Sequence, residues 1–407
     1  MRVLIKIAWR NIWRNSVRSL IIITSIVLGL WAGTFVSAIY YGMGEDRVRI
    51  AIENEISHIQ IHNPKYKDDF KVKYAIDYND TMQAELKNTP NVKAWSARSR
   101  TQGMITSTTA SSGVQINGIE PAAEDSTTHL GKKIIEGEYL APGRRNQIIV
   151  GAKLARRLKL KLKSKVVITF LDKDDNMSSA AFKVVGIYES SNSTWDDANV
   201  FVKREDLNPL LNIDANAAHE IAILLNTNRL IDTTEAQLKK DFPQYKVESW
   251  MEIAPEINVV ISLMGQVSTI FVIIILLALS FGIINIMLMA VLERTREIGM
   301  MIALGMTRFK VFQLVVLETF FLVMLGSPTG MLIAYGTISW LSVKGIDLSS
   351  FAQKSMASMG MSSVIYPALP WASYEQIIIL VMITAVLSAV FPAIKALRLN
   401  PAETIKT

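Results

Sequence analysis

Long uncharged stretches set the pattern of this chain. Ser19–Gly44, Ile257–Leu292, Thr319–Val343 and Gln376–Ile394 contain no Asp, Glu, Lys or Arg. Each is long enough, as a helix rising about 1.5 Å per residue, to cross a hydrocarbon core of about 30 Å. Between the first two windows the period changes. Glu45–Glu55 is still helix-compatible and reads as a stalk, and then Ile56–His62 alternates apolar and polar positions, the signature of a strand. Val114–Ile119, Ile148–Val150, Val166–Phe170, Phe182–Tyr188, Val200–Val202 and Ile221–Leu225 read as further strands. Gly151–Leu160 and Thr233–Phe242 read as helices, and Glu120–Pro121 as a turn. The pattern predicts an α-helical membrane protein. It has four transmembrane helices and a large mixed α/β extracytoplasmic domain between the first and second spans.

The expected order is a surface helix (1–18), a first span (19–44), a stalk and outside domain (45–256) and a second span (257–292). A charged connector (293–310), a third span (311–343), an outer loop (344–375), a fourth span (376–394) and a tail (395–407) follow. The second window is about 54 Å long as one helix, more than the membrane needs. Gly265 or the Ser280–Gly282 step is the place for a bend, and the surplus length suits a lever between the connector and the outside domain.

Charge decides the orientation. The net charge is +7, but 45–256 holds 29 basic against 30 acidic residues. The excess flanks the spans: five basic and no acidic residues in 1–18, four against two in 293–310, three against one in 395–407. The positive-inside rule therefore puts both termini and the connector in the cytoplasm. This distribution argues against nucleic acid as a partner. Arg2, Lys6, Arg10, Arg14 and Arg18 recur every four residues beside Trp9 and Trp13, as expected of a helix lying on anionic membrane lipid. The absence of cysteine excludes disulfides and thiolate metal sites.

Candidate chemistry is sparse. His58 and His62 lie about 13 Å apart on a strand, too far to share a metal ion. Asp172, Asp174 and Asp175 lack the Gly and distal Glu of a calcium loop and read as a solvated hairpin turn. No nucleophile elbow, paired carboxylates or phosphate-binding glycine loop is present, so no catalytic residue, metal or bound cofactor is expected. Gly29 and Gly33 permit close helix packing, as do Gly326, Pro328 and Gly330. Glu318, near the inner end of the third span, reads as one member of a structural ion pair, with Arg308 within reach. In the outer loop Phe351, Met356, Met359 and Met361 sit among small residues. They read either as an interfacial loop or as a lip that meets a greasy substrate.

Glu293-Arg294-Thr295-Arg296-Glu297-Ile298-Gly299, then Ala303-Leu304-Gly305 and Leu317-Glu318, resemble the signature of the FtsX/MacB/Lol-type ABC permease family. Pro392–Glu403 is similar to that family's ending. Asn117–Pro121 and Val184–Ile187 resemble its periplasmic core domain. The resemblance implies a permease of the cell inner (cytoplasmic) membrane, paired with a second, identical or homologous, permease and with two cytoplasmic ATPase subunits. Those subunits use ATP and magnesium, and their closure is passed to the outside domains by mechanotransmission. It places Glu293, Arg294, Arg296, Glu297, Ile298 and Gly299 at the ATPase contact, with Met301 and Ile302 adding an apolar face and Gly305 a tight turn. The missing phosphate loop and the Ser57–Ile61 strand look most like the lipoprotein-releasing permeases. For these the implied cargo is a lipoprotein passed to a periplasmic carrier. Efflux with a separate ATPase, and signalling without transport, are the alternative readings.

Overall fold

The computed structural model describes residues 2–14 and 16–397, without the side chains of Val3 and Phe351. The chain forms two compact units. One comprises Met1–Gly44, Ile261–Ile346 and Ile365–Thr407; the other comprises Glu45–Val260 and Asp347–Val364.

The first unit is helical. Its elements are an N-terminal helix (Arg2–Arg14), four span-length helices (Ser16–Ala51, Pro255–Glu293, Arg308–Lys344 and Trp371–Leu397) and a connector helix (Thr295–Ala303). Each span buries one narrow stripe at helical spacing: Ile22, Ile26 and Leu30; Leu279, Ile283 and Met287; Ile377, Val381 and Ala385. The remaining faces expose Leu28, Ile274, Phe281, Leu332, Ile383 and Leu387. So much uncovered apolar surface is stable only in lipid. The second span runs unbroken through Gly265 and Gly282. The tightest approach between spans lies at Gly326 and Gly330 of the third. A Cβ on Gly330 would stand 3.1 Å from both Cα and the carbonyl oxygen of Val27. Gly33 is open by comparison, its nearest neighbour being Ile275 at 4.0 Å.

The N-terminal helix buries Leu4, Ala8 and Ile12, one residue per turn, and Trp9 meets Phe321 edge to face at 5.7 Å. Arg2, Lys6 and Arg10 are exposed, so this helix has a packed side and a basic side.

The second unit is built on a ten-stranded sheet. In chain order its strands are β1 (Ile59–His62), β2 (Val92–Thr106), β3 (Ser111–Ile119), β4 (Ile134–Gly137), β5 (Gln147–Gly151), β6 (Lys165–Leu171), β7 (Met177–Tyr188), β8 (Asn199–Lys203), β9 (Glu220–Leu225) and β10 (Lys246–Ser249). Pairing runs β2–β3–β8–β5–β7–β6 and back to β2, a closed ring of strands. Closure leaves these strands no free edges. The ring is filled by alternate residues such as Ile105, Ile116, Val150, Ile168, Phe182 and Val200. The first half of β2 leaves the ring and pairs with β9, which continues through β1 to β10.

The stalk helix ends in a π-helical turn, Ile52–Ile56. The expected turn at Glu120–Pro121 instead opens the helix Pro121–Thr128, with Pro at its first position, where a missing N–H costs nothing. Asp172 accepts from the backbone N–H groups of Asp174 and Asn176, both at 2.9 Å, which closes the hairpin turn between β6 and β7.

Candidate coupling site

The connector helix follows Arg294, whose backbone is not helical, and stops at Leu304. Gly305 supplies the exit turn with φ +99°, a conformation that side-chain-bearing residues rarely adopt. The Met306 N–H closes this end on the Met301 carbonyl at 3.0 Å.

A nine-residue helix has two faces, and the structure assigns them. Ile298 and Gly299 are buried, and Met301, Ile302 and Met306 pack on the same core as Ile12, Val291 and Val311. Met300, Leu304 and Phe309 are uncovered, Leu304 to 89 %. Of the expected docking residues, Ile298 is buried and Met301 and Ile302 pack partly buried on the helix's own bundle. The positions two residues along, Met300 and Leu304, are open. The reason is the helical period, which turns 298, 301 and 302 to one side and 296, 300 and 304 to the other.

The connector's charges are arranged in pairs. Glu297 accepts from Arg14, and Glu293 from Arg18. Arg294 Nη1 lies 3.1 Å from Glu318 Oε1, with both side chains nearly nine-tenths buried, and Nη2 donates to the Asn11 carbonyl at 3.3 Å. Glu318 therefore pairs with Arg294 and not with Arg308. Beside this pair lies a cavity of about 30 Å³, lined by Asn11, Arg294, Glu297 and Glu318 among apolar side chains. Arg296 is exposed and has no ion-pair partner among the described residues. Sequence reasoning missed Arg14, Arg18 and Asn11 as partners of the connector. The four-residue spacing of the basic residues was a signal of one helical face, but not of what that face meets.

The outer-loop methionines divide. Met356 and Met361 are buried and Met359 is exposed, while the Phe351 side chain lies outside the described residues. The loop carries a helix, Ser349–Ser358, whose end is closed by Met361 N–H on the Met356 carbonyl. Thr194 Oγ1 donates to the Ser358 carbonyl at 3.1 Å, and Ser362 N–H to Asp46 at 3.2 Å. Of the expected family ending, Arg398–Glu403 lies outside the described residues.

His58 accepts from Leu225 N–H and bonds Asn228, whereas His62 lies beside Glu248. Among the described residues no group of three or more His, Asp and Glu side chains is placed to hold a metal.

Four span-length helices, a short connector helix with one packed and one open face, and an α/β unit inserted after the first span together have the layout of a multi-pass membrane protein. Comparison with known proteins specifies the family. Residues 269–401 match the FtsX-like permease C-terminal family, and residues 19–241 match the MacB-like periplasmic core domain. The chain belongs to the FtsX/MacB family of ABC transporter permeases. It is 29 % identical over 218 residues to the uncharacterized ABC transporter permease YknZ of Bacillus subtilis, covering 54 % of this chain and 47 % of that one. It thus spans about half the length of that relative. It is 24 % identical to the uncharacterized permease YvrN of the same organism, over 99 % of this chain and 98 % of that one. The crystal structure of the periplasmic region of MacB from Actinobacillus actinomycetemcomitans aligns over 53 % of this chain and 94 % of that chain, with 13 % identity and a TM-score of 0.35.

Proposed function

We propose that this permease converts ATP-driven closure of separate cytoplasmic ATPase subunits into movement of its outside domain. The observation that carries the reading is the two-faced connector helix. Its inner face is packed into the span core and its charges are tied to Arg14, Arg18 and Glu318. A push on the open face, Arg296, Met300 and Leu304, is therefore delivered to several helices at once. ATP and magnesium are used by the partner, two ATPase subunits serve a pair of permeases, and both termini face the cytoplasm of the inner membrane.

For cargo, the reading is extraction of lipoproteins from the membrane for transfer to a periplasmic carrier. Its support is strand β1 (Ile59–His62) after the first span and the resemblance of the Ser57–Ile61 sequence to lipoprotein-releasing permeases. A second reading, efflux of a small amphiphile, is supported by the match of residues 19–241 to the MacB-like core domain. Depletion separates the two. Lipoprotein release predicts lipidated proteins retained in the inner membrane. Normal lipoprotein sorting together with a new drug or peptide sensitivity would replace that reading with efflux. A purified complex whose ATPase activity is unaffected by any change in the connector would remove the coupling reading itself.

A further inference from the structure

The N-terminal helix, Arg2–Arg14, does not prolong the first span. Ser19 Oγ donates to the Ile12 carbonyl at 2.7 Å, whereas an unbroken helix would put about 10 Å of rise between those residues. The chain therefore turns sharply between the two helices. The surroundings of the N-terminal helix fix its depth. It leads into the first span just before the uncharged window that opens at Ser19. Its Asn11 carbonyl accepts from Arg294, just past the end of the second window at Leu292. Its Trp9 meets Phe321, just inside the third window, which opens at Thr319. Three apolar windows end at the level of this one helix, which puts it at headgroup depth on the connector's side of the bilayer.

The outward face of the helix is cationic. At about 100° per residue, the buried Leu4, Ala8 and Ile12 occupy roughly 0–80° of its circumference, and Arg2, Lys6 and Arg10 roughly 160–240°. These three are exposed and have no ion-pair partner among the described residues. Their surroundings do not offset them. Residues 1–18, 293–318 and 395–407, the segments on this side of the spans, hold twelve basic residues against four acidic ones. Three of those four, Glu293, Glu297 and Glu318, are already engaged by Arg18, Arg14 and Arg294.

Apolar surface accompanies the charge. Ile5 and Trp9 are exposed on the shoulder at roughly 100–140°. Trp13, 61 % exposed, stands among the cations and meets Trp9 edge to face at 6.1 Å. An acidic protein surface would answer the cations but leave this apolar edge, at headgroup depth, without a partner. A lipid that carries an anionic headgroup on acyl chains answers both.

We propose that this face binds anionic phospholipid of the leaflet on the connector's side, with the phosphate at Lys6 and Arg10, which are neighbours one turn apart, and the chains against Ile5, Trp9 and Trp13. Lipid binding here is independent of how the connector is driven and of what the permease moves. The test uses the purified full chain in neutral detergent, titrated with phosphatidylglycerol or with phosphatidylcholine of the same chains, with bound lipid read by native mass spectrometry. Phosphatidylglycerol is expected to bind saturably and about tenfold more tightly, with about fivefold lost for each cation removed. Lys6→Gln/Arg10→Gln should therefore abolish the preference, and the charge-conserving Lys6→Arg/Arg10→Lys should keep it. Arg308→Gln/Lys310→Gln, which removes the same charge from the exposed start of the third span, should also keep it. Equal affinity for the two lipids overturns the proposal. So does an equal loss in Arg308→Gln/Lys310→Gln, which would mean a diffuse positive surface. Displacement by excess glycerol phosphate would mean a free-anion site, and displacement by hexaglutamate with no effect of Trp13→Ser would assign the face to an acidic protein; either result also overturns it.

Discussion

Replacing Glu318 by Met tests whether the connector is held by a buried ion pair. The Arg294 and Glu318 side chains are 11 % and 12 % exposed and 3.1 Å apart. At an effective dielectric of about 20, two unit charges at that distance attract by about 5 kcal/mol, a gain set against the desolvation of both groups. Glu318→Met keeps the volume and removes one charge, leaving Arg294 buried beside Arg18, whose Nη1 already lacks a partner. Breaking a buried pair from one side costs about 3–5 kcal/mol, whereas replacing both partners by apolar groups is often neutral. Glu318→Met is therefore expected to lose about 3–5 kcal/mol. Arg294→Met/Glu318→Met is expected to recover most of it, because Arg14–Glu297 and Arg18–Glu293 remain balanced. The assay is SDS-induced unfolding of the purified protein in mixed micelles, read by circular dichroism for wild type, both single variants and the double variant. A loss below about 1 kcal/mol in Glu318→Met, or a double variant no better than the single one, would refute the reasoning.

The open connector face gives a second expectation: Met300→Asp with Leu304→Asp cuts ATPase co-purification at least tenfold while the protein still inserts, whereas Ile298→Asp lowers stability instead; the reverse pattern would invert the assignment of faces. Gly330→Val is expected to cost about 2–3 kcal/mol by overpacking against Val27 backbone atoms at 3.1 Å, which cannot rotate away, while Gly33→Val, with nothing nearer than 4.0 Å, leaves the melting temperature within a degree or so. Burial pushes both His62 and His219 down to about 4; unfolded rings take up protons below about 6.5, so stability falls as pH drops from 6.5 to 4, by about 1.4 kcal/mol per pH unit for each ring, and His219→Gln should flatten that loss in pH-dependent melts. Asp196, pushed up to about 6 by burial, acts in the opposite sense, its contribution present at low pH and lost as pH rises through 6, so Asp196→Asn should steepen the acid loss.

How much of this was legible depends on where the controlling partner lies in the chain. The spans were visible because a bilayer demands a run length that soluble cores do not. Their ends were not, since a helix continues through charged residues once it leaves lipid: the first runs Ser16–Ala51 and the third begins at Arg308. Strands with one apolar face were readable from alternation. The long strand β2 was not, because Arg98 and Arg100 are covered and made tolerable by Glu124 and Glu220, remote in sequence. Alternation treats a charge as a mark of exposure, and here it marks a buried network. The same limit governs the connector. Its composition announced a charged helix between spans, but Arg14 and Glu297 are 283 residues apart, and no local pattern reports that pairing. The Met-rich loop shows the same limit: composition shows an adaptable apolar segment, while Thr194 and Asp46, remote in sequence, bond its backbone at Ser358 and Ser362.

These pairings change what the connector presents. Read alone, Glu293, Arg294, Arg296 and Glu297 make a neutral segment with both signs on offer to a partner. In the fold both carboxylates and Arg294 are engaged from within, which leaves Arg296, of these four, as the available charge beside the uncovered Met300 and Leu304, with exposed Arg308 and Lys310 further along. A complementary partner surface then needs an apolar pocket with an acidic rim, not a matched set of ion pairs. Arg14–Glu297 is about half exposed on each side, and such pairs contribute about 0–1 kcal/mol to stability. The N-terminal helix packs through Leu4, Ala8 and Ile12, and the connector is oriented by its own buried face, Ile298 with Met301 and Ile302, against the span core. The basic stripe at the start of the chain thus has two parts: Arg2, Lys6 and Arg10 remain exposed, while Arg14 and Arg18 pair with Glu297 and Glu293 of the connector.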